Sequence, residues 1–571
     1  MTTRSRPLIR EPQSLASLIK QCRSLRDLKP VQAHILRAGL HHDIFLTSKL
    51  IESAAISLPG NVSHAHLMFS HAYHPPNTFM WNTIIRGYSL THHDGPLQCI
   101  SLYHQMLSAG AHPNSYTFAF LLKACCRLLL LSEGRQIHGQ IAKMGFDSEL
   151  PVINGLIRLY VTCGCAEHAR QLFDVMPERD SNSWSVMVAG YAQNGFPHEA
   201  LALFREMQFS AVDIDGFTLA SVVGVCGDLG ALDLGRWAHS YMDRKGVEMD
   251  VVLGNALVDM YGKCGLLDEA LRVFQGLDEK DVFLWSTMIG AYAIHGCGLK
   301  ALQVFSDMIR AKVRPTCVTF TSVLSACGHS GLVDEGLRNF DRMQSEYGIE
   351  PQIEHYGCIV DLYCRAGHVR EAHEFIRRMP IEPNAVLWRT LLSACKAHGH
   401  TKLGAQISKQ LLELDPKSSE NYVLVSNVYA SLGRWSSVSR IRSLMKDRKV
   451  KKRHGWSCIE VNFTVHEFVM GDESHRESRE IYKMLDKMAI RLREAGYVAA
   501  TSDVLHDIDE EEKEHALGLH SERLAIAYGL LHTCEGSPIR IVKNLRLEHS
   551  VVSSLRNDWC AAPAPMHKNL I

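Results

Sequence analysis

The sequence has no excess of charge, no membrane-length apolar run, no paired-cysteine motif and no phosphate-binding glycine loop. Across 571 residues, 61 Lys+Arg stand against 61 Asp+Glu, with 46% hydrophobic and 21% charged residues. That balance excludes a disordered polyelectrolyte, a fibrous repeat and a globally basic nucleic-acid binder, so any nucleic acid must be held by a local surface. No apolar stretch approaches the roughly 18 residues of a membrane span, and no membrane partner is expected. None of the 17 cysteines forms Cys-x-x-Cys. Cys226, Cys327 and Cys395 fall inside apolar helical patterns, where a thiol acts as a small buried hydrophobe, and no disulfide framework is expected. Without a Gly-x-x-x-x-Gly-Lys-Ser/Thr loop, nucleotide hydrolysis has no support.

What is present is a repeat. Trp81, Trp184, Trp285 and Trp388 open WNTIIRGY, WSVMVAGY, WSTMIGAY and WRTLLSAC, at intervals of 103, 101 and 103 residues. Each interval divides into three helical hairpins. These are 78–114, 115–149 and 150–180, then 181–215, 216–250 and 251–281, then 282–316, 317–352 and 353–384. Two earlier hairpins, about 9–43 and 44–77, begin the array. Trp81, Ile84, Ile85 and Tyr88 fall on one apolar helical face, as do Trp184, Met187, Val188 and Tyr191, and Trp285, Met288, Ile289 and Tyr292. Glycine turns follow at Asn194-Gly195, Cys264-Gly265 and His295-Gly296. A second helix then carries Ala-x-x-x-Phe (Ala169/Phe173, Ala200/Phe204, Ala270/Phe274, Ala301/Phe305). One hairpin cannot bury such a face alone, so neighbours must stack, and the expected fold is an all-α, right-handed superhelical α-solenoid.

The pattern WN-x-x-I…Y-x-x-x-G with D-E-A-x-x-x-F resembles the pentatricopeptide repeat, and hairpin lengths near 35, 35 and 31 resemble its plant P-L-S subclass. The tetratricopeptide repeat has a similar period but a W-x-x-L-G-x-x-Y pattern. Here Asn or Ser follows the tryptophan at Trp81, Trp184 and Trp285, and Met-Pro recurs at Met176-Pro177 and Met379-Pro380. Segment 385–452 resembles the degenerate extension motifs of that family. Segment 453–546, with GWSCIEV, VHEFVMGDESH, LREAGYV, LHSERLAIAYGL and RIVKNLR, resembles the DYW deaminase-like domain. Residues 547–571 diverge. The resemblance therefore implies a solenoid followed by a small α/β cytidine-deaminase-like domain that is incomplete.

The resemblance implies single-stranded RNA read one base per hairpin by its fifth and last residues. Aspartate is acceptor-only and suits the ring N–H of U or G, whereas asparagine also donates. Carried onto this chain, Ser48/Asn77 implies A, Asn82/Asn114 a pyrimidine, Asn154/Asp180 U, Ser185/Asp215 G and Asn255/Asp281 U. Ser286/Thr316 departs from the usual pairs, and Gly357/Asn384 lacks one reader. The long hairpins, such as 216–250 with Ala220, are poorly coded in this subclass. The expected target is A-Y-x-U-G-x-U, continuing with a purine. A competing account makes Asp180, Asp215 and Asp281 helix caps. Phosphate contacts would come from Lys and Arg along the groove, and the densest basic run is Lys446–Arg453. A solvated helix end explains that run equally well.

Zinc nucleobase deaminases combine His-x-Glu with a downstream Cys-x-x-Cys. By resemblance, His520 is the metal ligand and Glu522 the general acid/base. The cysteine pair is missing: after NLR the chain reads LEHSVVSSLRNDWC, with Glu548, His549 and Ser550 where the first cysteine region belongs. Zinc is therefore expected only if the site is completed. The acidic run Asp507–Glu514 reads as a solvated segment.

Arg4, Arg6 and Arg10, with no acid before Glu11, fit a short organellar targeting segment over 1–8, for mitochondrion or chloroplast. Together these readings imply a site-recognition factor for organellar C-to-U RNA editing. It would bind a single-stranded organellar transcript and work with a deaminase-bearing or editing-complex protein supplied in trans. The alternatives are an autonomous zinc cytidine deaminase with a misread C-terminus, an RNA stabilisation or processing factor, and a protein-binding helical scaffold.

Overall fold

The computed structural model describes residues 11–543 apart from 59–60, 92–94, 211, 453–454, 497–517 and 535–536. The targeting segment 1–8, the acidic run 507–514 and the tail 547–571 lie outside the described residues. The chain divides into two compact units, Met1–Thr218 and Leu219–Ile571.

In the first unit, helices Thr78–Leu90, Ser115–Arg127, Leu150–Thr162 and Ser181–Gln193 stack in sequence as one layer. Each pairs with the helix that follows it in the chain, and these second helices include Gly95–Ser108, Ala166–Asp174 and Pro197–Phe209. The tryptophan ruler has a packing cause. Phe69 meets Trp81 edge-on at 4.7 Å between ring centroids, and Phe173 meets Trp184 at 4.9 Å. The phenylalanine closing one hairpin thus seats the tryptophan opening the next, an arrangement the ring quadrupole favours. His66 with Tyr88 and His138 with Tyr160 add the same ring-nitrogen to hydroxyl contact 22 residues apart. Gly195, at φ 76°, turns the chain between its two helices. Gly190 lets adjacent first helices approach, since a Cβ there would sit 2.5 Å from a Val161 methyl.

The second unit continues the pattern. Helices Val251–Lys263, Val282–Ile294, Cys317–Ser330, Ile353–Arg365, Ala385–Ala397 and Ser419–Ser431 stack in order. Phe274 seats Trp285 at 4.9 Å. The array is a helical-hairpin solenoid, and the thiols expected in its core are there: Cys226, Cys327 and Cys395 are buried. All described cysteines are free.

After helix Trp435–Asp447 the period changes from helical to alternating. Strands β1 (Trp456–Val461), β2 (Thr464–Val469) and β3 (Ile541–Lys543) form an antiparallel sheet in the order β2-β1-β3. Asn462 and Phe463 at φ 51° and 60° make the two-residue turn joining β1 to β2, whose positive angles match strand twist. Helix Ser521–His532 packs on the sheet and helix Ser478–Glu494 packs on that helix, around Ile459, Phe468, Leu485, Leu524 and Tyr528. No helix among the described residues is long and apolar enough to cross a membrane.

Candidate nucleic-acid interface

Every first helix begins immediately after the last residue of the preceding hairpin, which places that residue at a helix N-terminus. In the first unit Asn77, Asn114 and Asp180 are N-caps. Their side-chain oxygens accept the backbone N–H groups of Met80 (3.0 Å), Thr117 (3.1 Å) and Ser183 (2.8 Å). Asp215 accepts Thr218 N–H at 2.8 Å in the same way. In the second unit Asp281 accepts from Leu284 at 2.9 Å, and Asn384 from Val386 and Leu387. Capping is therefore real at each of these positions, because the first N–H groups of a helix have no partner within it.

The same oxygens also meet the fifth residues. Asn82 donates from Nδ2 to Asn114 Oδ1 at 2.9 Å, and Asn154 donates to Asp180 at 3.2 Å. Ser185 Oγ lies 3.1 Å from Asp215 Oδ2. The fifth residues are buried and Asp180 and Asp215 are exposed, so each pair runs from core to surface. Capping and pairing coexist in two ways: at Asn114 and Asp180 one Oδ1 takes both bonds, and at Asp215 Oδ1 caps while Oδ2 faces Ser185. Oδ1 of Asp180 takes the Ser183 contacts, while Oδ2 receives only the long 3.5 Å approach of Asn154. Burial pushes the Asp180 carboxyl up, but hydrogen bonds from Ser183 and Asn154 outweigh it and hold the pKa below 3.8.

The other assigned pairs are looser. Ser48 donates to its own helix at Ile44 O (2.7 Å), while Asn77 caps. Asn255 and Asp281 share no side-chain hydrogen bond among the described contacts, and Asn255 Oδ1 is buried without a partner. Asn154 Oδ1 is orphaned likewise. Ser286 contacts Thr319 Oγ1 at 2.8 Å, and Thr316 donates its N–H to the same oxygen at 3.1 Å. Gly357 offers no side chain opposite Asn384. Buried acceptors without donors are rare in folded proteins, and here two of them recur at one repeat position.

One stripe escaped the sequence reading. The second residue of many hairpins is a large exposed apolar group: Phe45, Phe79, Tyr116 and Phe217 in the first unit, Val252, Phe283 and Val318 in the second. Phe283 is 64% exposed and stands one turn before Ser286. Phe283 and Val318, with Asn255 and Ser286, line a groove of about 210 Å³. Their 31- to 37-residue recurrence was visible in the sequence. An apolar residue in a first helical turn nevertheless looks like core until its exposure is known.

One basic group lies in this groove, and another in the run beginning at Lys446 is engaged within the fold. Lys263 lines the same groove and is held by Asp228 at 2.8 Å and Asp259 at 2.7 Å. Burial lowers its pKa, but the two carboxylate bonds outweigh this and raise it. In the run beginning at Lys446, Arg448 is anchored by donating to the Tyr422 hydroxyl at 2.8 Å.

In the C-terminal domain the strand-to-helix packing brings His520 and Glu522 together. His520 Nδ1 lies 3.0 Å from Glu522 Oε2, and the buried Glu522 forms an ion pair with Lys543 of β3. Burial pushes the Glu522 carboxyl up, but the bonds from His520 and Lys543 and the lysine charge hold it below 4.5. Burial pulls the Lys543 ammonium below the ordinary lysine range against the attraction of Glu522.

The described residues do not fit a catalytic zinc. Cys458 lies in β1 between Val542 and Glu467, and burial pushes its thiol up to about 12, which makes it a neutral core group. Cys534 is exposed beyond the helix end. Among the described residues His520 belongs to no cluster of three metal-ligating groups. The carboxylate that would shuttle protons is engaged by an ammonium. Cys560 and residues 548–550 lie outside the described residues.

The fold and this face define a helical-hairpin repeat protein that presents paired polar side chains along its first helices and ends in a small sheet-containing domain. Pentatricopeptide repeat families match residues 76–127, 153–181, 182–210, 255–282, 280–329, 318–347 and 347–380. The E motif matches 398–460, and the DYW family of nucleic acid deaminases matches 496–556. The Arabidopsis thaliana pentatricopeptide repeat-containing protein At5g48910 is 39% identical, covering 95% of this chain and 92% of its own. Another from the same plant, At1g59720, described as chloroplastic/mitochondrial, is 42% identical over 94% and 86%. Among solved structures, the pentatricopeptide repeat protein PPR10 from maize aligns with 15% identity and a TM-score of 0.42, covering 97% of this chain and 92% of that one. The chain belongs to the pentatricopeptide repeat family, in its P-L-S form with an E motif and a DYW domain.

Proposed function

We propose that this protein binds single-stranded RNA of an organellar transcript in a base-specific manner and serves as the recognition factor for C-to-U editing, with the deaminase supplied by a partner. The observation carrying the reading is the hydrogen-bonded pair of a buried fifth residue and a half-buried or exposed capping residue, repeated at Asn82/Asn114, Asn154/Asp180 and Ser185/Asp215. Each pair has a defined face. Asn114 Oδ1 already accepts from Asn82 and Thr117, so its amide N–H groups remain to donate, which suits the ring acceptor of cytosine. Asp180 Oδ2 remains an acceptor and suits the ring N–H of uracil. Exposed rings beside the pairs suit base stacking.

Family membership supports the RNA target, and relatives described as chloroplastic or chloroplastic/mitochondrial support an organelle. The need for a partner rests on the poor fit of His520, Glu522 and Lys543 to zinc. An autonomous deaminase would require ligands that the described residues do not supply.

The test is equilibrium binding of the full chain to RNA carrying A-Y-x-U-G-x-U upstream of a cytidine, against the same bases in shuffled order. Selective, salt-sensitive binding without zinc or cytidine conversion is expected. Equal affinity for shuffled RNA rejects base reading. Conversion abolished by Glu522→Ala rejects the partner requirement.

A further inference from the structure

We propose that Thr218, which belongs to neither reading position, sets the purine choice of the Ser185/Asp215 pair. The inference rests on the proposed reading of bases by that pair. Thr218 is the third residue of helix Gly216–Leu229, fully buried, and its Oγ1 lies 2.7 Å from Asp215 Oδ1 and 2.6 Å from Ser185 Oγ.

Counting protons fixes what the pair shows to a base. Thr218 has one hydroxyl proton, and the carboxylate is the stronger acceptor, so it goes to Asp215 Oδ1. The backbone N–H of Thr218 reaches the same oxygen at 2.8 Å. Oδ1 is thereby turned to the helix and Oδ2 away from it. Ser185 also has one proton, with three acceptors in reach: Thr218 Oγ1 at 2.6 Å, Ser181 O at 2.7 Å and Asp215 Oδ2 at 3.1 Å. Either nearer acceptor takes it, and Asp215 Oδ2 is left open beside the lone pairs of Ser185.

Two adjacent acceptors match two adjacent donors. Guanine presents a ring N–H and an amino group side by side on its pairing edge, whereas adenine presents an amino group beside a ring acceptor. Without the Thr218 hydroxyl, the carboxylate is held at Oδ1 by the backbone N–H alone, and the serine proton is left to divide between Ser181 O and Oδ2. A serine that donates to Oδ2 leaves one acceptor where guanine needs two.

The same third-position hydroxyl acts elsewhere. Thr117 Oγ1 donates to Asn82 Oδ1 at 2.6 Å and lies 3.2 Å from Asn114 Oδ1, holding that amide in one orientation. Thr218 is thus a positioning residue, acting on the base through Ser185 and Asp215.

The experiment uses the full chain and four RNAs that differ only at the base opposite hairpin 181–215, with a parallel set varied opposite hairpin 150–180. The wild type is expected to prefer G over A. Thr218→Val keeps the shape and the backbone cap, and should lower that ratio by about three- to tenfold, the scale of one neutral hydrogen bond. The U preference opposite 150–180 should not change, and Thr218→Ser should restore the G preference. A wild type indifferent to this base removes the reading of bases by Ser185/Asp215 and this inference with it. A wild type that prefers G with an unaltered Thr218→Val ratio overturns the role of Thr218 alone. An equal loss at both positions, or no rescue by serine, also overturns it by marking a general structural defect.

Discussion

Lys543 of the third strand and Glu522 of the packed helix form a buried ion pair, and His520 approaches the same carboxylate at 3.0 Å. Among the described residues His520 belongs to no cluster of metal ligands, and this lysine provides the cationic partner of the carboxylate.

The pair makes a stability prediction. Lys543→Met leaves Glu522 buried without a cation and should destabilise the domain by about 3–5 kcal/mol in chemical denaturation. The double variant Glu522→Gln, Lys543→Met should lose less than the two single variants summed. In the wild type the Glu522 pKa is depressed below 4.5, so its contribution is present above that value and lost as pH falls through the lower folded pKa. Lys543→Met removes the lysine bond and charge but leaves the His520 bond against the upward push of burial, so this loss of stability on acidification should be weaker in that variant. A chelator should leave the wild-type midpoint unchanged. A chelator-induced fall would show that metal holds the domain.

Asp215→Asn tests the reading face directly. The substitution keeps an oxygen for the Thr218 N–H but replaces the open acceptor by an amide that also donates. Preference should shift from G towards A at that position, by about 1–3 kcal/mol on the scale of bidentate base contacts. Binding to four RNAs varied at one base measures it, and an unchanged order of preference rejects the proposed register.

These cases show what was legible before the structure. Trp81, Trp184 and Trp285 announce the hairpins because each must be seated by a phenylalanine at a set distance behind it, and such packing leaves a period. The period set the hairpin boundaries, and family resemblance then supplied the candidate pairs, as it supplied His520 and Glu522 within LHSERLA. Thr117 and Thr218 were not legible as partners of Asn82 and Ser185. Each lies on the first helix of the next hairpin, 35 and 33 residues further on, and a third-position hydroxyl reads locally as part of a cap. Lys543 was equally hidden, since a strand and a helix 21 residues apart must fold together before its charge finds Glu522. Sequence posed Asp180 as either cap or reader; the structure shows the cap, and its second carboxylate oxygen leaves room for the proposed reading.

Phe283→Ala tests the exposed stripe. The ring is 64% exposed, so its loss should barely change folding stability. Affinity for the RNA should fall by about 1–3 kcal/mol, the cost of removing one base-stacking platform. Because every base has a flat face, the loss should be similar for all four bases nearby. A loss confined to one base would make Phe283 a reader instead.

Asp180 yields a pH prediction with a defined sign. Its hydrogen bonds from Ser183 and Asn154 hold the folded pKa below 3.8 against the upward push of burial. Its cap contribution is therefore complete above pH 3.8 and lost as pH falls further through the folded value. Asp180→Asn should remove this pH dependence while keeping a capping oxygen, so the two proteins should converge in stability at low pH. The same substitution should abolish the U preference opposite hairpin 150–180 at neutral pH, where the wild-type carboxylate is ionised. Denaturation curves at several pH values, paired with binding at neutral pH, separate the two duties. Loss of the cap without loss of base preference would leave Asp180 a helix cap alone.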